Sequence, residues 1–170
     1  MKAKKSWAEK LADDKDLPRV VEINARMSKR WGEGTCVIPA PREVDALMRR
    51  IPAGRLTTIN ELREVLAKKH GATMGCPITT GIFAWIAAHA ADEAERAGAA
   101  KITPYWRTLK AGGELNAKYP GGIEGLRARL EAEGHRVVAK GQRLFVVDYE
   151  GVLFQPSVLR SRRSHKSDIP

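Results

Sequence analysis

Apolar residues recur at three- and four-residue steps through most of this chain and alternate only near its end. That pattern predicts helices first and a small β element last. Val20, Val21, Ile23, Met27 and Trp31 form an approximate helical stripe over 17–31, with Arg26, Lys29 and Arg30 near its end. The stretch GEGTCVIPAP, with two glycines and two prolines, interrupts it. Val44, Leu47, Met48 and Ile51 predict a short helix over 43–51, stopped ahead of Pro52 and Gly54. Thr58-Ile59-Asn60-Glu61 matches a capping box, opening a helix that presents Leu62, Val65 and Leu66 and ends near His70-Gly71. Thr79-Thr80 predicts another N-cap and a long alanine-rich helix to about Arg96. The two helices make a helix-turn-helix candidate with a longer link than is usual. After Gly98 comes a turn-rich stretch with room for one short strand, then a helix over 123–133 ended by Gly134. Two β-rich runs around Gly141 predict a hairpin. The order implies an α+β, winged-helix-like helical domain over 43–135. It would have an N-terminal helical extension (1–42), a C-terminal β-hairpin (136–154) and a basic tail (155–170).

Charge narrows the partner. The 170 residues hold 30 Lys+Arg against 20 Asp+Glu, a formal net charge of +10. Four lysines stand against one glutamate in residues 1–10, and three arginines and a lysine against one aspartate in 155–170. A polyanionic partner is expected, with the tail as a basic arm or a solubilising terminus. With 43% hydrophobic residues a core can be buried, which excludes general disorder. No apolar run approaches the ~18 residues of a membrane span, so no membrane partner is expected. The charged start lacks the apolar stretch of a secretory signal, which points to a cytoplasmic, nucleoid-associated location. Cys36 and Cys76 are the only cysteines, too few for a disulfide framework or a four-cysteine zinc site. His70, His89, His135 and His165 show no metal-ligand spacing with either, so neither metal nor cofactor is expected.

Two stretches resemble a known family. IPAGRLTT (51–58) looks like the entry segment of the O6-alkylguanine-DNA alkyltransferase C-terminal domain. TPYWRTLKAGGELNAKYPGGIEGLRARLEAEGH (103–135) resembles its active-site loop, its Tyr-containing double-glycine turn and its helix ending in Glu-Gly, in family order. The resemblance implies that family's fold over 44–135 but not its chemistry. Where family enzymes carry Pro-Cys-His-Arg, this chain reads Pro104-Tyr105-Trp106-Arg107. A phenol with pKa near ~10 is a harder and poorer alkyl acceptor than a thiol near ~8.5, and an indole is no general base. The family's positioning Asn has no match, because an Ala- and Glu-rich insertion precedes Lys101, and only Glu133 of that set survives. The chain therefore resembles the non-catalytic, alkyltransferase-like branch and has no expected catalytic residue. That branch binds alkylated guanine in duplex DNA and hands it to other DNA-repair proteins.

The same resemblance nominates a site. Tyr105 and Trp106 would wall a pocket by stacking on a base that has left the duplex, with Arg107 ordering the loop or meeting a phosphate. In the plainer alternative, both rings merely fill that pocket. Tyr119, Gly121 and Gly122 match the turn beside it. The family's Tyr after the Thr-Thr pair is Ile59 here, and no Lys or Arg occurs from Gly71 to Glu95, so its intercalating Arg is missing. Thr79, Thr80 and Gly81 lie near that point, where a helix start can hold a phosphate through backbone N–H groups. Ile82, Phe83, Trp85 and Ile86 read as core. Arg55, Lys110 and Lys118, with Lys68, Lys69 and Lys101, would supply phosphate contacts that position without reading sequence. Cys76 reads as a small buried thiol, the alternative being a displaced acceptor. The expected protein is a monomer that binds DNA without reacting. General architectural or regulatory DNA binding, or an adaptor role for residues 1–40, are the competing readings.

Overall fold

The computed structural model describes residues 3–156, so the reading of a basic tail falls almost wholly outside the described residues. The α+β class holds: the described residues form six α-helices, of which the last four supply buried residues to one core, and three small sheets. Helix α3 (Pro41–Arg49) buries Val44, Leu47 and Met48, α4 (Ile59–His70) buries Leu62, Val65 and Leu66, and α5 is Pro77–Arg96. The alanine run of α5 explains how close the helices lie. Ala84, Ala87, Ala88 and Ala91 are buried, and their short side chains let α3 and α4 approach the helix axis. Helix α6 (Gly122–Ala132) adds Leu126 and Leu130 from the other side.

Caps set the helix bounds. Thr58 Oγ1 accepts from Glu61 N at 3.3 Å, but the Glu61 carboxylate turns to Gln155 Nε2 at 3.1 Å, so only half of the expected capping box forms. Gly71, at φ 62°, ends α4 in the left-handed region. Helix α5 begins earlier than Thr79-Thr80 implied. Pro77 takes the first helical position, where a missing N–H costs nothing, and Cys76 Sγ caps by accepting from Thr79 N at 3.5 Å.

The N-terminal segment differs most from the sequence reading. Residues 17–31 are not one helix but strand β1 (Arg19–Glu22) followed by helix α2 (Ala25–Trp31). A Val-Val pair serves a strand as readily as a helical stripe, and pairing with strand β2 (Thr35–Ile38) decides the matter. Strand β2 also pairs in parallel with β4 (Met74–Gly75) in the link between α4 and α5, giving the order β1-β2-β4. Thr35 and Thr73 then exchange N–H to Oγ1 hydrogen bonds of 3.0 and 3.1 Å. Gly34 permits this junction: at φ 124°, any Cβ there would lie 2.2 Å from Thr73 Oγ1. Helix α1 (Trp7–Ala12), absent from the sequence reading, has a full Ser6/Glu9 capping box. Its Trp7 and Ala8 N–H groups also donate to the Glu93 carboxylate of α5, at 3.0 and 3.1 Å.

Strands β3 (Thr57–Thr58) and β5 (Thr108–Leu109) pair in parallel, joining the segment before α4 to the loop after α5. Strands β6 (Val137–Lys140) and β7 (Arg143–Val146) form the expected hairpin around Gly141. Truncating Leu66, which is fully buried, to Ala is expected to cost about 2–5 kcal/mol in urea unfolding. Ile78→Ser, at a side chain 58% exposed, should stay within about 0.5 kcal/mol of wild type in the same assay.

Candidate nucleic-acid interface

The pieces that carried the family resemblance meet in space. Arg107 Nη1 donates to the Ile51 carbonyl at 2.7 Å, and Arg107 Nε reaches both Glu133 oxygens at 3.0 Å. Trp106 Nε1 donates to Glu133 Oε1 at 3.1 Å. Arg107 and Glu133 side chains are each only 15% exposed. Burial pushes the Glu133 carboxyl up, but the hydrogen bonds from Arg107 and Trp106 outweigh it and hold the group below the usual carboxylate range. Three motif segments, around Ile51, 104–107 and Glu133, are thus tied by one guanidinium and one carboxylate. Arg107 accordingly orders the loop, and its donors are committed inward instead of to a phosphate.

Tyr105 sits at the centre of this frame and is 2% exposed. Tyr119, 3% exposed, meets it edge-on at 6.2 Å between ring centroids, and Trp106 does so at 5.3 Å. Arg129 of α6 lies over both neighbouring rings, 5.6 Å from Tyr105 and 4.4 Å from Trp106. Burial raises the Tyr105 and Tyr119 hydroxyls above the ordinary phenol range. Tyr105 is thus closed off from solvent by its neighbours, which corrects it as an exposed stacking surface, whereas Tyr119, with Gly121, Trp7 and His89, borders an open cleft of about 570 Å³. Trp106 is half-buried, with its N–H spent on Glu133.

The other nominated residues divide. Thr80 is fully buried, and the Thr79 and Thr80 hydroxyls are both hidden with no hydrogen-bond partner among the described residues; neither is the N-cap expected of them, since Cys76 takes that place. Gly81 is half-buried, with open space where a Cβ would stand. Gly121 caps α6 at φ 83° and Gly122 follows at φ 62°, so both serve the turn. Lys110 lies 3.7 Å from Glu114, which Arg143 also grips, so its charge is partly offset. Arg55 is exposed and donates to the Leu153 carbonyl at 3.0 Å, keeping its charge. Lys118 is exposed and has no carboxylate partner among the described residues.

Two features were not nominated as part of a site by the sequence reading. Arg26, Lys29 and Arg30 of α2 are exposed and lack carboxylate partners among the described residues. Strand β2, which follows this basic helix in the chain, pairs with β4 in the α4–α5 link, a long-range pairing that no local window of sequence contains. The other is a cleft of about 640 Å³ between α5 and the segment after β5, where Ile78, Ile82, Trp85 and His89 face Asn116 and Lys118. Ile82 is 46% exposed there, which corrects its reading as core; Phe83, the next residue, is buried as expected.

Cys36 and Cys76 are both buried, and burial pushes the Cys36 thiol up to about 11, far from a reactive thiolate. Cys76 is occupied as the α5 cap. No cluster of three or more His, Cys, Asp or Glu among the described residues could hold a metal ion.

The arrangement is a buried tyrosine centre, tied by the Arg107–Glu133 pair, with Arg55, Lys118 and the α2 cations exposed on the outer surface. No protein-family model and no curated protein match the chain. Among solved structures, it is similar to S. pombe ATL in complex with DNA, at 18% identity and TM-score 0.49. It is also similar to S. pombe Atl1 in complex with damaged DNA containing O6-carboxymethylguanine, at 16% identity and TM-score 0.42. Each comparison covers 68% of this chain and 94% of the other.

Breaking the buried pair is expected to be costly. Glu133→Gln should lose about 3 kcal/mol at neutral pH, because it leaves the Arg107 charge enclosed without its counter-ion. Because the folded Glu133 carboxyl lies below its unfolded value near ~4.3, its contribution persists above that pH and fades as pH falls through the lower folded value. Denaturant titrations from pH 7 to 3 check both points: the gap between wild type and variant should narrow toward the acid end.

Proposed function

We propose that this chain is a non-enzymatic protein of the alkyltransferase-like kind that binds duplex DNA, recognises modified bases in it and passes them to DNA-repair proteins. The observation that carries the reading is the junction of Ile51, Arg107 and Glu133, which ties the family-like segments into one frame around a tyrosine. Tyr105 supplies no thiolate and is shielded from solvent, so grip without alkyl transfer is what this centre supports. A cytoplasmic, nucleoid-associated location belongs to the same reading.

Phosphate contacts would come from the cations that keep their charge. Arg26, Lys29 and Arg30 on α2, Lys118 after β5 and Arg55 ahead of β3 meet this condition. Such contacts hold a duplex in register and release counter-ions, which makes affinity fall steeply with salt.

Incubation with O6-alkylguanine duplex should leave the intact protein mass unchanged by mass spectrometry, and a gain of one alkyl group would overturn the non-enzymatic reading. In anisotropy titrations the O6-alkylguanine duplex should bind more tightly than its matched guanine duplex. Equal affinities would reduce the function to general DNA binding. Replacing Arg26, Lys29 and Arg30 together by Ala should lower the salt slope of log K by about 2–3, since each phosphate contact contributes roughly 0.9.

A further inference from the structure

Ile78 and Ile82 are, with Val20, the large apolar side chains that stand exposed among the described residues. They lie one turn apart on α5, at the lip of the α5 cleft. Two neighbouring isoleucines left in water on a helix that otherwise buries its apolar positions form a ready wedge. Behind them Trp85 is held in place. Its Nε1 donates to the Lys118 carbonyl at 3.2 Å, and Trp7 of α1 meets it edge-on at 4.8 Å. Trp7 also stacks on His89 at 4.4 Å, so the floor of the cleft is a braced aromatic group.

The cleft is complementary to an anionic chain with flat apolar groups. Its described lining holds no carboxylate, its rim carries Lys118, which has no carboxylate partner among the described residues, and its volume of about 640 Å³ lies within the ~300–1,000 Å³ of small-molecule sites. Resting on the function proposed above, we propose that this cleft, and not the ground beside Tyr105, receives the nucleobase. Ile78 and Ile82 enter the base stack of duplex DNA, as apolar wedges do in kinked duplexes, and the displaced base settles toward Trp85 with its backbone near Lys118. The site thereby works without the intercalating Arg that this helix lacks.

The test uses the full chain and a duplex containing 2-aminopurine, whose emission rises when the base unstacks, with anisotropy read in parallel. Wild type should raise the emission several-fold at saturation, and Tyr105→Phe should leave that rise intact. The Ile78→Ser/Ile82→Ser double variant, altered only at exposed positions, should still reach saturating anisotropy through the remaining phosphate contacts, yet lose the rise at that saturation. Trp85→Phe should reduce it in part. Saturating anisotropy without any rise for wild type, or an unchanged rise in the double variant, would overturn the cleft while leaving DNA binding standing. No anisotropy change with wild type would overturn DNA binding itself, and the cleft with it.

Discussion

The loop that holds Tyr105 depends on a single enclosed ion pair. Arg107 spends its donors on Glu133 and on the Ile51 carbonyl, so three segments far apart in the chain share one anchor. Removing two charges from water is costly, and the cost is met here only because nearly every donor and acceptor around the pair finds a partner. The pair therefore works as a positional constraint more than as a source of stability. It sets Trp106 against Glu133 and turns Tyr105 inward, where Tyr119 and Arg129 close over it.

The frame around the centre is tied at three points, while Tyr105 itself is closed off from solvent. What remains available to a partner lies outward, on the first turns of α5, on the segment after β5 and on α2. Strand β2 joins the N-terminal segment to the helix pair, since it pairs with the α4–α5 link on one side and with β1 on the other. The N-terminal residues are thus part of the same body as the helix pair, and the Glu93 carboxylate fastens α1 to α5 as well.

Much of this was legible from the chain and some was not, for identifiable reasons. Helices α4 and α6 and the β6–β7 hairpin announce themselves through local signals: apolar spacing, a Thr cap and glycine stops. Motif order set Arg107 and Glu133 in two family-like segments, but their pairing was not legible, since 26 residues separate them. Strand β1 was misread because Val20, Val21 and Ile23 suit either period, and only its partner β2 decides. Helix α1 is six residues long and leans on a carboxylate 86 residues away, which no local window contains. The sealed state of Tyr105 and the apolar cleft share that cause. Arg129 closes one from α6, and Lys118 faces α5 across the other, so both arise from tertiary packing.

Amide hydrogen exchange on the full chain, with and without a saturating duplex, addresses the central claim most directly. Slowed exchange is expected in the first turns of α5, at 114–118 and through α2, with the amides of 105–107 already protected in the free protein. Protection confined to other surfaces, or rapid exchange at 105–107 before DNA is added, would contradict a sealed centre with its binding face turned outward.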